Sequence, residues 1–178
     1  DINKKYIYIY NTIESLSIKQ KKIIQKIYNK NRKTILEIPS IDYKIKGGYV
    51  HQVYNVLLLF NRVNNNKFDK DLIITGILLK YIGLLKSFDS NNPNIPNKNS
   101  FKDVKIFSLD IISTFLKSSK KNLINNLKNI IISNKNYQEA MYVEYLFKIE
   151  RLSNKSIEWK YFMFKFRINQ TGLICGYY

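Results

Sequence analysis

Between Ser17 and Ser153 the apolar residues recur, segment after segment, at the 3.6-residue spacing of an α-helix, and no other feature limits the possible folds so sharply. Ile18, Ile23, Ile24, Ile27 and Tyr28 predict one amphipathic helix over 17–33, with Ser15 or Ser17 placed to cap it. Val50, Val53, Tyr54, Leu57, Leu58 and Phe60 predict a largely buried helix over 49–63, entered through the Gly47-Gly48 pair. Those glycines let the backbone turn tightly. Asp69 or Asp71 opens the next helix, through about Leu85, in which Gly76 permits close approach of a neighbour. Three more helices are expected over 101–117 (Ile106, Leu109, Ile112, Phe115, Leu116), 122–133 (Leu123, Leu127, Ile130, Ile131) and 138–153 (Met141, Val143, Leu146, Phe147). Pro39 and the run DSNNPNIPNKNS over 89–100 punctuate the pattern as connections. The expectation is an all-α bundle of about five or six helices.

The two ends read differently. Residues 1–16 form an N-terminal extension whose YIYIY alternation is strand-like or extended, suited to adding to a sheet or docking on a partner. The helical body spans 17–156. Residues 157–178 form an aromatic C-terminal extension, in which WKYFMFKF (159–166) is too dense in aromatics for one helix face and NQTG before LICGYY suits a short β-hairpin. Such a segment is expected to cover the core or a partner. No run reaches the roughly 18 apolar residues of a membrane span, no signal-peptide pattern opens the sequence, and Cys175 has no second cysteine to pair with. An intracellular setting, cytoplasmic or organellar, is expected.

With 30 Lys plus Arg against 13 acids, the net charge is +17. Clustered cations neutralise phosphates and release counterions, which points to nucleic acid. The same excess also follows from A+T-rich codons, because Ile, Asn, Lys, Tyr and Phe abound while alanine occurs once, at Ala140. Lys117, Lys120, Lys121 and Lys128, with Lys135 beyond, form one basic run; Lys19, Lys21, Lys22, Lys26, Lys30, Arg32 and Lys33 form another. Contact with RNA or other nucleic acid through such runs is expected to be independent of sequence.

Four short segments, in order over residues 18–156, carry a family resemblance. The glycine pair opening a helix and LLKYIG resemble the GGLLEHT and LLHDIG segments of the HD domain of bacterial 3′ to 5′ exoribonucleases; LKNIIISNKNYQE (Leu127 to Glu139) resembles LKHxILSHHGxxE, and LFKIERLSNK (Leu146 to Lys155) resembles LHYADNLDAK. The resemblance implies an HD-domain-like helical bundle of the metal-dependent phosphohydrolase superfamily. It sets Gln52, Lys80, Tyr81, Asn134, Lys135 and Glu150 at the positions of metal ligands, of which Glu150 alone keeps ligand chemistry. An intervening histidine would fall in KIFSLDII (105–112), which has none, and His51 is one residue out of register.

A divalent ion that activates water needs imidazole or carboxylate donors converging on one point, whereas Lys80 and Lys135 bring ammonium groups. No catalytic residue, metal or cofactor is therefore expected. The function expected is that of an inactive HD-like scaffold or RNA-contacting subunit of a larger ribonucleoprotein assembly. Two alternatives remain: a phosphohydrolase or exoribonuclease with an altered metal set drawn from His51, Glu144 and Glu150, and a pure protein-interaction module. Glu144 and Glu150, six residues apart, lie on different helix faces.

Overall fold

The computed structural model describes residues 1–63, 67–88, 103–116 and 121–171, with side chains placed through residue 154. The chain is all-α over these residues: α1 (Ile2–Glu14), α2 (Ile18–Lys30), α3 (Arg32–Glu37), α4 (Gly48–Val63), α5 (Lys70–Leu79), α6 (Leu84–Ser87), α7 (Val104–Phe115), α8 (Lys121–Ile132) and α9 (Gln138–Thr171). No helix among them is long and apolar enough to cross a membrane.

Helix α5 is the centre. Every residue from Leu72 to Lys80 is buried, as expected of a helix surrounded by others, and α2, α4, α8 and α9 all pack on it. Asp69 caps it by accepting from Leu72 N at 3.1 Å. At its other end Tyr28 and Tyr49 both donate to Leu78 O, at 3.0 and 2.8 Å, so that carbonyl is satisfied inside the core. Gly76 brings α5 against α8: a Cβ there would sit 2.9 Å from Ile130 Cγ2.

The glycine pair does what its composition implies. Gly47 has φ +73°, and a Cβ on Gly48 would lie under 3.0 Å from backbone atoms of Tyr43 and Ser40, so the 38–47 connection folds directly onto the start of α4. That closeness fixes Asp42 and Tyr43 beside α4 and α9.

The strand-like reading of the N-terminus is corrected. Residues 2–14 are helical, with Tyr6, Ile9 and Ile13 buried and α1 packed on α4. The local Tyr-Ile alternation masks a longer series, Ile2, Tyr6, Ile9 and Ile13, that follows the helical period, and Asp1 caps it through Asn3 N at 2.9 Å. The helix expected over 17–33 is likewise two helices, broken at Asn31 (φ −113°), with Ser17 at the N-cap position of α2 but donating to Gln20 rather than capping. The hairpin expected in the tail gives way over 159–166 to the continuing backbone of α9. The Asn-Pro connection over 89–100, and Cys175 with the rest of 172–178, lie outside the described residues.

Candidate functional site

Four of the six positions that the resemblance sets at metal ligands meet along one polar seam where the 38–47 connection, α4, α5 and α9 come together. Lys80, 1% exposed, follows the last turn of α5. Its ammonium donates to Glu144 Oε2 at 2.8 Å, Ser133 Oγ at 3.0 Å and Ile130 O at 3.2 Å, three acceptors for three donors. Ser133 in turn donates to Glu144 Oε2 at 2.8 Å. Burial lowers the Lys80 pKa, with the Glu144 bond and charge opposing.

Ser133 adopts φ 60°. It closes α8 in a Schellman turn, with Ser133 N bonded to Ile130 O at 3.2 Å and Asn134 N to Asn129 O at 2.9 Å, a place usually taken by glycine. The serine is explained by its hydroxyl, which links Lys80 to Glu144.

Beside this pair Gln52, buried on α4, donates to Asp42 Oδ2, while Asp42 Oδ1 meets Arg151 Nε at 2.8 Å. Tyr81 packs edge-on against Phe147, ring centroids 5.1 Å apart. Burial pushes its hydroxyl up to about 12, the charges of Glu144 and Asp42 adding and Arg151 opposing. Glu150, 5% exposed, accepts through Oε1 from Tyr43, from Asn55 at 3.2 Å and from Asn154 at 2.6 Å, while Oε2 has no partner among the described residues. It lines an open cleft of about 310 Å³ with Asn55, Arg62 and Asn154.

The other two positions do not join. The Asn134 side chain bonds Asn129 Oδ1 and, through Oδ1, Asn136 N at 3.0 Å, a turn-making role. Lys135 is exposed. His51 faces the other side of Tyr43: its Nδ1 accepts from Lys5, its ring lies edge-on to Tyr43 at 4.6 Å, and burial followed by the Lys5 charge lowers its pKa. Among the described residues no group of three His, Cys, Asp or Glu side chains is arranged to hold a metal ion. The Glu144 carboxylate is committed to the buried Lys80 ammonium.

Of the expected phosphate contacts, Lys121 and Lys128 are exposed seven residues apart on α8; Lys117 and Lys120 lie outside the described residues. A second surface is better organised. Lys19, Lys22, Lys26 and Lys30 are all exposed on α2, and at 3.6 residues per turn they fall within an arc of roughly 80°. None takes part in an ion pair among the described residues, whereas Lys21 meets Glu14 at 3.5 Å. Lys26 and Lys30 lie 5.9 and 5.7 Å over the Phe115 ring at the end of α7.

Sequence reasoning missed Asp42, Ser133 and Arg151, which organise the seam. Its search was for ligands, and these are partners of the residues at the expected ligand positions; the visible sign was Asp42 lying in the short stretch between Pro39 and the glycines. Set against known proteins, the chain matches no family model, no curated protein and no solved structure.

Proposed function

We propose that this chain is a catalytically inactive, HD-like helical scaffold that contacts RNA without sequence preference, as a subunit of a larger ribonucleoprotein assembly. The lysine face of α2 carries this reading. Four ammonium groups, none in an ion pair among the described residues, within roughly 80° of arc and ~16 Å of helix length repel one another and gain most from a polyanion, where each phosphate neutralised releases counterions. Codon composition explains how many lysines a chain has, not why four of them share a face without acidic partners.

The absence of catalysis rests on the seam. Lys80 takes Glu144 out of the ligand pool, Asp42 is shared by Gln52 and Arg151, and Glu150 is wrapped by Tyr43, Asn55 and Asn154. A phosphohydrolase using His51, Glu144 and Glu150 needs these three to converge, whereas Glu144 is bound to Lys80 and Ser133, and His51 and Glu150 lie on either side of Tyr43, which packs on the one and donates to the other.

The test is fluorescence anisotropy of a short labelled oligouridine across a salt series with Mn²⁺ present. Affinity should fall with a log–log slope of about 0.7 per phosphate contact, the strand staying at full length. Replacing Lys19, Lys22, Lys26 and Lys30 by Gln together should flatten that slope by about 2.8. Salt-insensitive binding, a slope indifferent to the four substitutions, or a shortened strand would refute the proposal.

A further inference from the structure

Between α1 and the α2–α3 junction lies a cleft of about 240 Å³ walled by Tyr6, Ile7, Tyr10, Asn11, Asn29 and Arg32. We propose that this cleft takes one unpaired nucleobase of a single-stranded nucleic acid, whose phosphates run out along the lysine face of α2. The inference deepens the RNA-contacting reading above and rests on it.

Three kinds of group meet here, one for each part of a nucleotide. The first is a stacking surface. The half-buried Tyr10 ring, backed by the buried Tyr6 at 6.4 Å between centroids with planes 29° from parallel, stands beside Ile7, which leaves 56% of its surface exposed. A base laid there covers apolar surface that the fold leaves in water, and every base has a π-face to offer.

The second is a set of amides for the base edge. Asn29 commits its Nδ2 only to a long 3.4 Å bond with Tyr10 Oη, and Asn11 lines the same wall. Carboxamides both donate and accept, so they serve purine and pyrimidine edges alike. Behind them the buried Tyr6 hydroxyl has no hydrogen-bond partner among the described residues, a polar atom left at the base of the cleft.

The third is a cation for the phosphate. The Arg32 guanidinium is exposed and sits 5.6 Å over the Tyr6 ring, a geometry that leaves its fork of donors available to a phosphate. Asn29 lies roughly 20° around α2 from Lys22, so the cleft opens at the edge of the lysine face. Its volume is below the roughly 300 Å³ at which pockets for larger ligands begin. One base fits that space better than a dinucleotide.

The experiment compares a short oligothymidylate with an abasic strand of the same length and sugar, by anisotropy at fixed salt. The wild-type protein should prefer the base-bearing strand by roughly 5- to 150-fold, the range that stacking of one base supplies. Tyr10→Leu should remove the preference while leaving the salt slope unchanged. Asn29→Ala, at an exposed position, should reduce it, and it serves as the readout if Tyr10→Leu loses the cooperative thermal transition. Free thymidine monophosphate should compete only at much higher concentration, lacking the contacts along α2. Equal affinity for both strands overturns the base site and leaves the basic-surface reading standing; binding of neither strand overturns both. A folded Tyr10→Leu protein with undiminished preference, or a free nucleotide binding as tightly as the strand, also overturns it.

Discussion

Replacing Gly48 by alanine sets two effects against each other, and the structure decides between them. Gly48 is the first residue of α4, and alanine is favoured over glycine in a helix by up to about 1 kcal/mol. The added Cβ, however, would stand under 3.0 Å from Tyr43 O, 2.9 Å from Ser40 N and 3.0 Å from Tyr43 Cβ. Two of these neighbours are backbone and cannot rotate away. The connection they belong to is pinned by Ser40 N to Tyr43 O, Tyr43 N to Ser40 Oγ and Gly48 N to Ile45 O, each 2.9 Å, and by Tyr49 N to Ile38 O at 3.3 Å. Overpacking typically costs about 1–3 kcal/mol, and loosening buried hydrogen bonds adds about 1–3 more. After the propensity gain, a net loss of about 3 kcal/mol is expected, which for a chain of this size lowers Tm by roughly 6–12 °C. Gly76→Ala provides the comparison: its Cβ meets the side-chain tip of Ile130 at 2.9 and 3.0 Å, which can shift, and the cost should be about 1 kcal/mol. Differential scanning calorimetry of both variants is the assay. A Gly48→Ala protein as stable as wild type, or two variants with equal losses, would refute the reasoning.

Other outcomes follow from the same structure. Lys80→Met should cost about 1–2 kcal/mol, because Ile130 O and Ser133 lose a donor while Glu144, 39% exposed, rehydrates; Glu144→Leu should cost about 3–5 kcal/mol by leaving the ammonium buried without its anion. Urea titration would show it, and the reverse order would contradict the burial asymmetry. In acid, burial acts to raise the Glu144 carboxyl, but the hydrogen bond and charge of Lys80 outweigh it and hold its pKa below the usual 4.5. A carboxyl depressed on folding contributes stability above its unfolded pKa and loses it as pH falls through the lower folded value. The acid limb of a stability profile should therefore flatten in Lys80→Met.

Much of the bundle was legible because burial in a helical bundle writes a 3.6-residue period into the sequence. Helices α4, α7 and α8 emerge within a few residues of their expected bounds. The expectation failed where a short pattern hid a longer one, as in the YIYIY of α1, and where one period spans two helices, as across Asn31. Neither failure reflects weak hydrophobic patterning. Of the candidate site, the positions Gln52, Lys80, Tyr81 and Glu150 were visible through resemblance, but their partners were not. The pairing of Lys80 with Ser133 and Glu144 joins residues more than fifty apart, and nothing local in α8 announces that Ser133 would take a left-handed turn to reach it. The cleft beside Asn29 was equally hidden, since it exists only once α1 is a helix.

The unequal burial of Lys80 and Glu144 gives their partnership a direction in time. A carboxylate at 144 without its lysine keeps more than a third of its surface in water and is tolerable. A lysine at 80 without its carboxylate leaves a charge sealed in the centre of the molecule and is not. Stepwise replacement of the pair therefore costs less when the lysine is removed before the glutamate than in the reverse order. The core cation thus binds the order of substitution at two distant positions, whereas the exposed Lys19 and Lys22 of α2 can be changed singly at little cost to the fold.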